Sequence, residues 1–396
     1  MKPTLCLTAM SLLLLASFAR AEEGSEIKWK KIVLTDQFYS EGANFGDFNH
    51  DGKMDVVAGP FWYEGPDFNP EKRHEFMPVK AYDPHEYSEN FLCFVADFNG
   101  DGWDDILVVG FPGKEAYWYE NPKGKEGPWA RHKVIDHVDN ESPGFGNLLK
   151  DGKPALICMT DGKAGYATPD ASDPTAPWKF HAVSPKKGYQ RFTHGLGWGD
   201  VNGDGRNDIM VHDGWYEQPA SLEGDPEWKF HPADFGKGGA QMYAFDVNGD
   251  GRPDVVTSLE AHGYGICWFE QKPDGTFEKH LIVGSKESDN PQGVKFSEPH
   301  AMDLIDVNGD GLPDFITGKR WWAHGPKGDV EANAPAVLYW FELRRENGSA
   351  RFIAHQIDDN SGVGTQVIAK RGNGDKYPSI VVGNKKGTFV FVPETK

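Results

Sequence analysis

The sequence predicts an all-β fold built from one four-stranded unit used seven times, and three observations carry that prediction. A nine-residue pattern, D-x-N-x-D-G-x-x-D, opens at positions 47, 97, 200, 246 and 306, with worn copies opening at 147 and 371. An apolar, β-branched run follows each copy at once, such as VVAG, ILVVG, IMV, VVTS and FITG. Helical periodicity is nearly absent. Successive openings lie between 46 residues (200 to 246) and 65 residues (306 to 371) apart, the size of a four-stranded blade with variable loops. The expected architecture is a seven-bladed β-propeller.

Each unit divides into four strands. A short apolar stretch before the loop is strand A, and the β-branched run after it is strand B. Strand C is aromatic: FWYE, YWYE, GWYE, CWFE or YWFE. Strand D carries an aromatic and usually a histidine, as in WARHKVI, WKFHAV, WKFHP and FEKHLIV. The last unit ends at Phe389–Val392 without a strand D of its own, and Ile27–Val33 (IKWKKIV) reads like the missing one. The N-terminal strand is therefore expected to complete the last blade, close the ring and leave no free sheet edge.

The first residues read as an export signal: Lys2, an apolar run from Leu5 to Leu15, then Ala19-Arg20-Ala21 as a small-x-small cleavage site. Residues 22–396 would form the mature propeller, in the periplasm or outside the cell. The run is too short to span a bilayer. Removing Lys2 and Arg20 leaves 39 basic against 60 acidic residues, a formal charge of −21. That balance argues against nucleic acid and anionic membrane as partners. Cys93, Cys158 and Cys267 sit in apolar strand-like runs, which reads as buried free thiols rather than a disulfide framework.

The repeated loops have the chemistry of calcium sites, since Ca²⁺ takes six to eight oxygens in flexible geometry. In the first loop Asp47, Asn49, Asp51 and Asp55 supply side-chain oxygens, the Lys53 carbonyl another, and Gly52 the tight turn. The same positions are Asp97, Asn99, Asp101, Trp103 and Asp105 in the second loop, and Asp200, Asn202, Asp204, Arg206 and Asp208 in the next intact one. They recur as Asp246, Asn248, Asp250, Arg252 and Asp254, and as Asp306, Asn308, Asp310, Leu312 and Asp314. Position 12 of the first loop is Ala58 and the flanks read as strands, which rejects an EF-hand. Up to five structural calcium ions are expected. The worn copies, with Leu149 and Ala155 or Arg371 and Ser379 at ligand positions, should hold none.

With Phe45-Gly46 before one loop and Ala58-Gly59-Pro60 after it, these units resemble the FG-GAP/VCBS repeats of integrin-type propellers over essentially the whole mature chain. A narrower likeness, in overall pattern, is to bacterial FG-GAP-like proteins and to the propeller domain of fungal aldos-2-ulose dehydratase. That resemblance implies a zinc at the bottom of a cleft and dehydration of keto sugars. The fungal enzyme's cupin domains have no counterpart in this sequence.

If the acidic loops join strands A and B on one rim, residues just before strand A converge on the other. They are Glu41, Glu89 with Asn90, Glu141, His194 with Arg191, Gln241, Glu298 with His300, and Gln366. The B–C loops reach the same face with Glu260, His262 and Lys319-Arg320-Trp321-Trp322, among others. His194, His262 and His300 come from three units, and imidazoles with a carboxylate and an open position are what catalytic zinc or another transition metal uses. The alternative is a wet channel of mutually hydrogen-bonded polar groups. His132, His181, His231 and His280 recur in strand D and read as structural. Tyr87, Tyr189, Trp321 and Trp322 are the aromatics expected to border the funnel, where they and the polar residues Glu41, Gln241 and Gln366 would bind a sugar.

Two functions fit this pattern. In the first, the chain is a carbohydrate lyase or dehydratase acting on keto sugars or related glycosides. His194, His262 and His300 hold the metal, Glu141 or Glu298 removes a proton next to a carbonyl, and Arg191 or Lys319 steadies the negative charge. In the second, the chain is a non-catalytic, calcium-stabilised propeller that binds glycans or a protein partner. A glycosidase using Glu41, Glu141 and Glu298 depends on carboxylate separations that a sequence does not contain.

Overall fold

In the computed structural model, which describes residues 27–346 and 349–394, every β-branched run becomes a strand buried on both faces. Asp55–Ala58, Asp105–Val109, Ala155–Thr160, Asp208–Val211, Asp254–Ser258, Asp314–Gly318 and Ser379–Asn384 contain no exposed residue. Sheets stacked face to face bury both sides of such a strand, which is why these runs are continuously apolar instead of alternating. The protein is all-β with a propeller-like arrangement of sheets: 28 strands and two short 3-10 helices among the described residues. The export signal expected at 1–21 lies outside the described residues.

Five sheets have four strands each. They start from the inner strands Ala43–Gly46, Leu92–Ala96, Gly144–Gly146, Met302–Ile305 and Val367–Lys370. The remaining eight strands make one sheet, in which two four-stranded meanders are joined by a parallel ladder between Leu196–Gly199 and Gln241–Phe245. The seven separate sheets expected from the repeat are therefore six in the structure. Glycine explains the fusion: a Cβ at Gly197 would lie 1.9 Å from the Met242 carbonyl oxygen, so only a residue without one lets the two inner strands come close enough to pair. Trp29–Thr35 pairs antiparallel with Gly387–Pro393 at the outer edge of the sheet that contains the C-terminal strands.

Apolar clusters link each sheet to the next. Phe94, Leu107 and Trp118 pack with Leu156, Cys158 and Trp178, and Val56 and Phe61 pack with Val381 and Val390 across the two ends of the chain. Cys93, Cys158 and Cys267 are buried free thiols. Strands C and D are clasped by a recurring aromatic–histidine–carboxylate contact. His231 stacks on Trp215 at 4.0 Å and bonds Glu217 at 2.6 Å, and His280 stacks on Trp268 at 4.2 Å and bonds Glu270 at 2.8 Å. His132 meets Trp118 and Glu120 in the same way, while His181 stacks on Tyr166 and bonds Asp225. This contact is the reason for the W-Y-E signature of strand C.

In the acidic loops the ninth-position aspartate faces inward. Asp314 is fully buried, and its two oxygens accept amides from Val307 and Leu343, tying the loop to strand C. Asp55, Asp105, Asp208 and Asp254 make the matching pair of bonds. Positions one, three and five stay near solvent, with the first carboxylate accepting loop amides, as Asp306 does from Gly309, Asp310 and Gly311.

Candidate functional site

Three of the expected residues meet where the inner strands converge. His194 Nε2 and His300 Nε2 are 3.1 Å apart, and Glu141 Oε2 lies 3.5 Å from the first and 3.3 Å from the second. The His262 ring completes a triangle, 5.0 Å from each of the other two imidazoles. A potential ligand atom of each of these four residues lies within 4.8 Å of the others.

Local chain geometry puts them there. His194 and His300 immediately precede inner strands, at Leu196 and Met302, while His262 sits on a loop between strands B and C. Glu298 and Trp322 hold φ of 60° and 57°, a left-handed conformation that side-chain-bearing residues adopt at a cost. The Glu298 turn is fixed from both sides: its N–H donates to the Gly263 carbonyl, and its own carbonyl accepts from Arg320.

Burial and charge set the protonation states. Burial first, then the neighbouring His300 and Arg320, push His262 down to about 2. Burial and the Arg320 charge push His300 down to about 3, so both rings are neutral near pH 7 and keep a lone pair for a ligand. Burial works against ionisation of Glu141, yet the close His194 and His300 imidazoles and the charge of Arg320 hold it well below the usual carboxylate range. Glu298 goes the other way. Fully buried, it rises to about 7, with Lys319 Nζ 3.2 Å away as its partially offsetting charge. Lys319, also fully buried, donates to Ser297 Oγ at 2.7 Å.

Arg320, expected on this face but without a role, is the charge at the centre. It is 3% exposed; Nη1 lies 2.7 Å from His300 Nε2 and 3.2 Å from Glu141, and Nη2 pairs with Glu41. Among the described residues Glu41 Oε1 has no hydrogen-bond partner, and burial raises the pKa of Glu41 despite the guanidinium. Asp329 and Lys385 were not expected here. Asp329 accepts from His324 Nδ1 at 2.7 Å and lies 3.5 Å from His262 Nδ1. Lys385 lies with its Nζ 4.4 Å over the Tyr87 ring. Asp329 falls in a loop without a repeat signature, and Lys385 in an N-K-K-G turn, so neither carries a sequence signal.

Other expected residues are elsewhere. Arg191 is exposed over Phe192, 5.7 Å from its ring, and does not reach the histidines; Arg320 takes the cationic position. Gln241 and Gln366 are staples between inner strands instead of free ligands for a sugar. Gln241 accepts from the Met302 amide at 2.8 Å, and Gln366 bonds both backbone groups of Cys93. Tyr189 is buried between sheets, its hydroxyl 2.9 Å from that of Tyr216. Tyr87 does border the cluster, its ring 6.5 Å from His324. Trp321 and Trp322 stack on each other at 3.9 Å beside a separate cleft.

A family model described as FG-GAP-like repeat matches residues 200–257 and 246–317. Comparison with curated proteins gives no match. Among solved structures the chain is similar to virginiamycin B lyase from Staphylococcus aureus, with 12% identity over 93% of this chain and 100% of that one, at a TM-score of 0.49. It is also similar to the Tc holotoxin pore of Photorhabdus luminescens, with 15% identity over 76% of this chain, at a TM-score of 0.39; the match spans 14% of the holotoxin chain. Likenesses at these scores say nothing about activity. The chain carries FG-GAP-like repeats on a propeller-like arrangement of β-sheets.

Proposed function

We propose that this chain is an exported, seven-unit propeller enzyme that eliminates water or an alcohol from keto sugars or related glycosides at a metal-assisted centre. The observation that carries the reading is the convergence of His194, His300 and Glu141 donor atoms at 3.1–3.5 Å, with His262 beside them. Two ligand atoms on a tetrahedral zinc, each at about 2.0–2.1 Å, stand roughly 3.3 Å apart. The donor set therefore fits zinc in both chemistry and spacing. Asp329 Oδ1 lies 3.5 Å from His262 Nδ1, on the side where a metal-binding histidine commonly has a carboxylate, and is hydrogen-bonded to His324. Arg320 donates to the same His300 nitrogen, so metal and guanidinium compete for it.

A bound zinc would supply Lewis-acid polarisation of the substrate carbonyl. Glu298, poised at about 7, would accept the proton from the carbon next to that carbonyl. The C–O bond at the β-carbon then breaks, and the departing oxygen leaves as water or alcohol with the proton Glu298 took up. Lys319 and Arg320 would stabilise the enolate charge. A count of seven units is supported by treating the eight-stranded sheet as two meanders, with the N-terminal strand paired at the outer edge of the last sheet. The oxygens at positions one, three and five of the intact loops suit structural calcium. Among the described residues no lysine or arginine side chain pairs with them in the loop at 306–314, whereas Lys53, Lys123, Arg206 and Arg252 pair with the fifth-position acid of the other four.

The test is turnover. With keto sugars and keto-glycosides as substrates and enone absorbance as readout, Glu298→Gln is expected to lower kcat by about 10²–10⁴-fold with bound metal unchanged. Wild-type kcat in that variant would remove Glu298 as the base, and no enone from any substrate with the wild-type protein would remove the lyase reading.

A further inference from the structure

Beyond the histidine cluster lies a cleft of about 380 Å³ lined by Lys31, Lys385, Lys386, Trp321, Trp322 and Asn360. No carboxylate lines it, in a chain whose formal charge is −19. Lys31 is already paired with Asp358 at 2.7 Å. Lys386 lies 4.3 Å over the Trp321 ring, and Trp321 in turn stacks on Trp322. Lys385 is the least ordinary of the three. It is 5% exposed, and its Nζ has one hydrogen bond, to the Ala323 carbonyl at 3.3 Å. Among the described residues no carboxylate pairs with Lys385 or Lys386. Burying an ammonium group without an ion-pair partner is costly; the carboxylates of Glu41, Asp329 and Asp83 offset that cost for Lys385 only from a distance, and an arriving anion would remove more of it. Lys385 also reaches toward the centre, since the Tyr87 ring beneath it packs toward His324.

We infer that this cleft is an anion subsite, in which Lys385 and Lys386 take the carboxylate or sulfate of an acidic sugar while the edges of the stacked Trp321–Trp322 pair form the apolar wall beside its ring. The sugar ring is taken from the carbohydrate reading above, whereas the charge of the cleft is independent of the metal centre. Cation–π contact with Trp321 and Tyr87 holds the two ammonium groups in place before the anion arrives. The substrate class narrows accordingly to glycans or keto sugars bearing an acidic group.

The test uses the full chain as purified, titrated with glucuronate, a glucose sulfate ester and glucose, and followed by tryptophan fluorescence and calorimetry. At least one anionic probe should saturate, with glucose ~10-fold or more weaker, as expected for loss of a charge-assisted hydrogen bond. The stronger of the two anions identifies the acidic group. Lys385→Met with Lys386→Met should weaken the anion by ~10-fold or more at an unchanged or higher melting temperature, since a methionine keeps the stem packing and removes the cost of the buried charge. His194→Ala should bind it as the wild type does. Equal binding of glucose, no saturable binding of either anion, or unchanged binding in the double lysine variant would overturn the subsite. So would loss of anion binding in His194→Ala, which would put the anion on the metal centre. Anion binding without turnover of any keto sugar would leave the subsite standing and remove only the lyase reading.

Discussion

Arg320→Met is expected to destabilise the fold by roughly 3–5 kcal/mol, the range for removing one partner from a buried ion pair. The guanidinium is the shared counter-charge of Glu41 and Glu141, both buried, and it also donates to His300. Methionine leaves two carboxylates facing each other in a poorly solvated space. Thermal melts should show a lower Tm, and adding Glu41→Gln should recover part of it, because the second change removes the charge that the first left unpaired. Zinc should raise the Tm of Arg320→Met more than that of the wild type, since the His300 nitrogen is freed and binding to the folded state stabilises it by mass action. A wild-type Tm in the single variant would mean that Arg320 is not the charge that holds this centre together.

His194→Ala is expected to abolish zinc binding and turnover while leaving the fold intact. His194 supplies one corner of the 3.1–3.5 Å donor triangle, and its loss leaves His300 and Glu141 as the close pair, with His262 beside them. The side chain is not part of the apolar clusters between sheets, so the melting temperature in the absence of zinc should change little. Retained zinc with full activity would remove His194 from the centre. A collapsed melting transition would instead assign it a structural role.

The repeat made most of the architecture legible. A loop of fixed pattern followed by a β-branched run has a local cause, because glycine and asparagine turns and two-sided burial are properties of short segments. The strand-D histidines were legible for the same reason: four copies in one strand position pointed to packing, and each lies against a strand-C aromatic. The joined sheet was not, because the approach that Gly197 permits depends on Met242 in the next unit. At the centre, His194, His262, His300 and Glu141 could be picked out because the repeat says which residues open an inner strand or follow a B strand. It does not say which polar side chain finds a backbone partner. Gln241 and Gln366 occupy the same repeat position as Glu41 and Glu141, yet both close onto neighbouring strands. Arg191 and Arg320 were equally visible cations. Only the path of the loop after Asp314–Gly318 sends Arg320 inward while Arg191 lies out over Phe192. Asp329 and Lys385 act through long-range proximity alone, to His262 and to Tyr87.

The central claim is that the converging imidazoles and carboxylate hold a catalytic metal, and metal content tests it most directly. Full-length protein, dialysed against a weak chelator, would be analysed by elemental mass spectrometry. The expected result is near-stoichiometric zinc, or another transition metal, beside several calcium ions. Calcium without any transition metal would contradict the centre proposed for His194, His262, His300 and Glu141, and leave a calcium-pinned binding scaffold in its place.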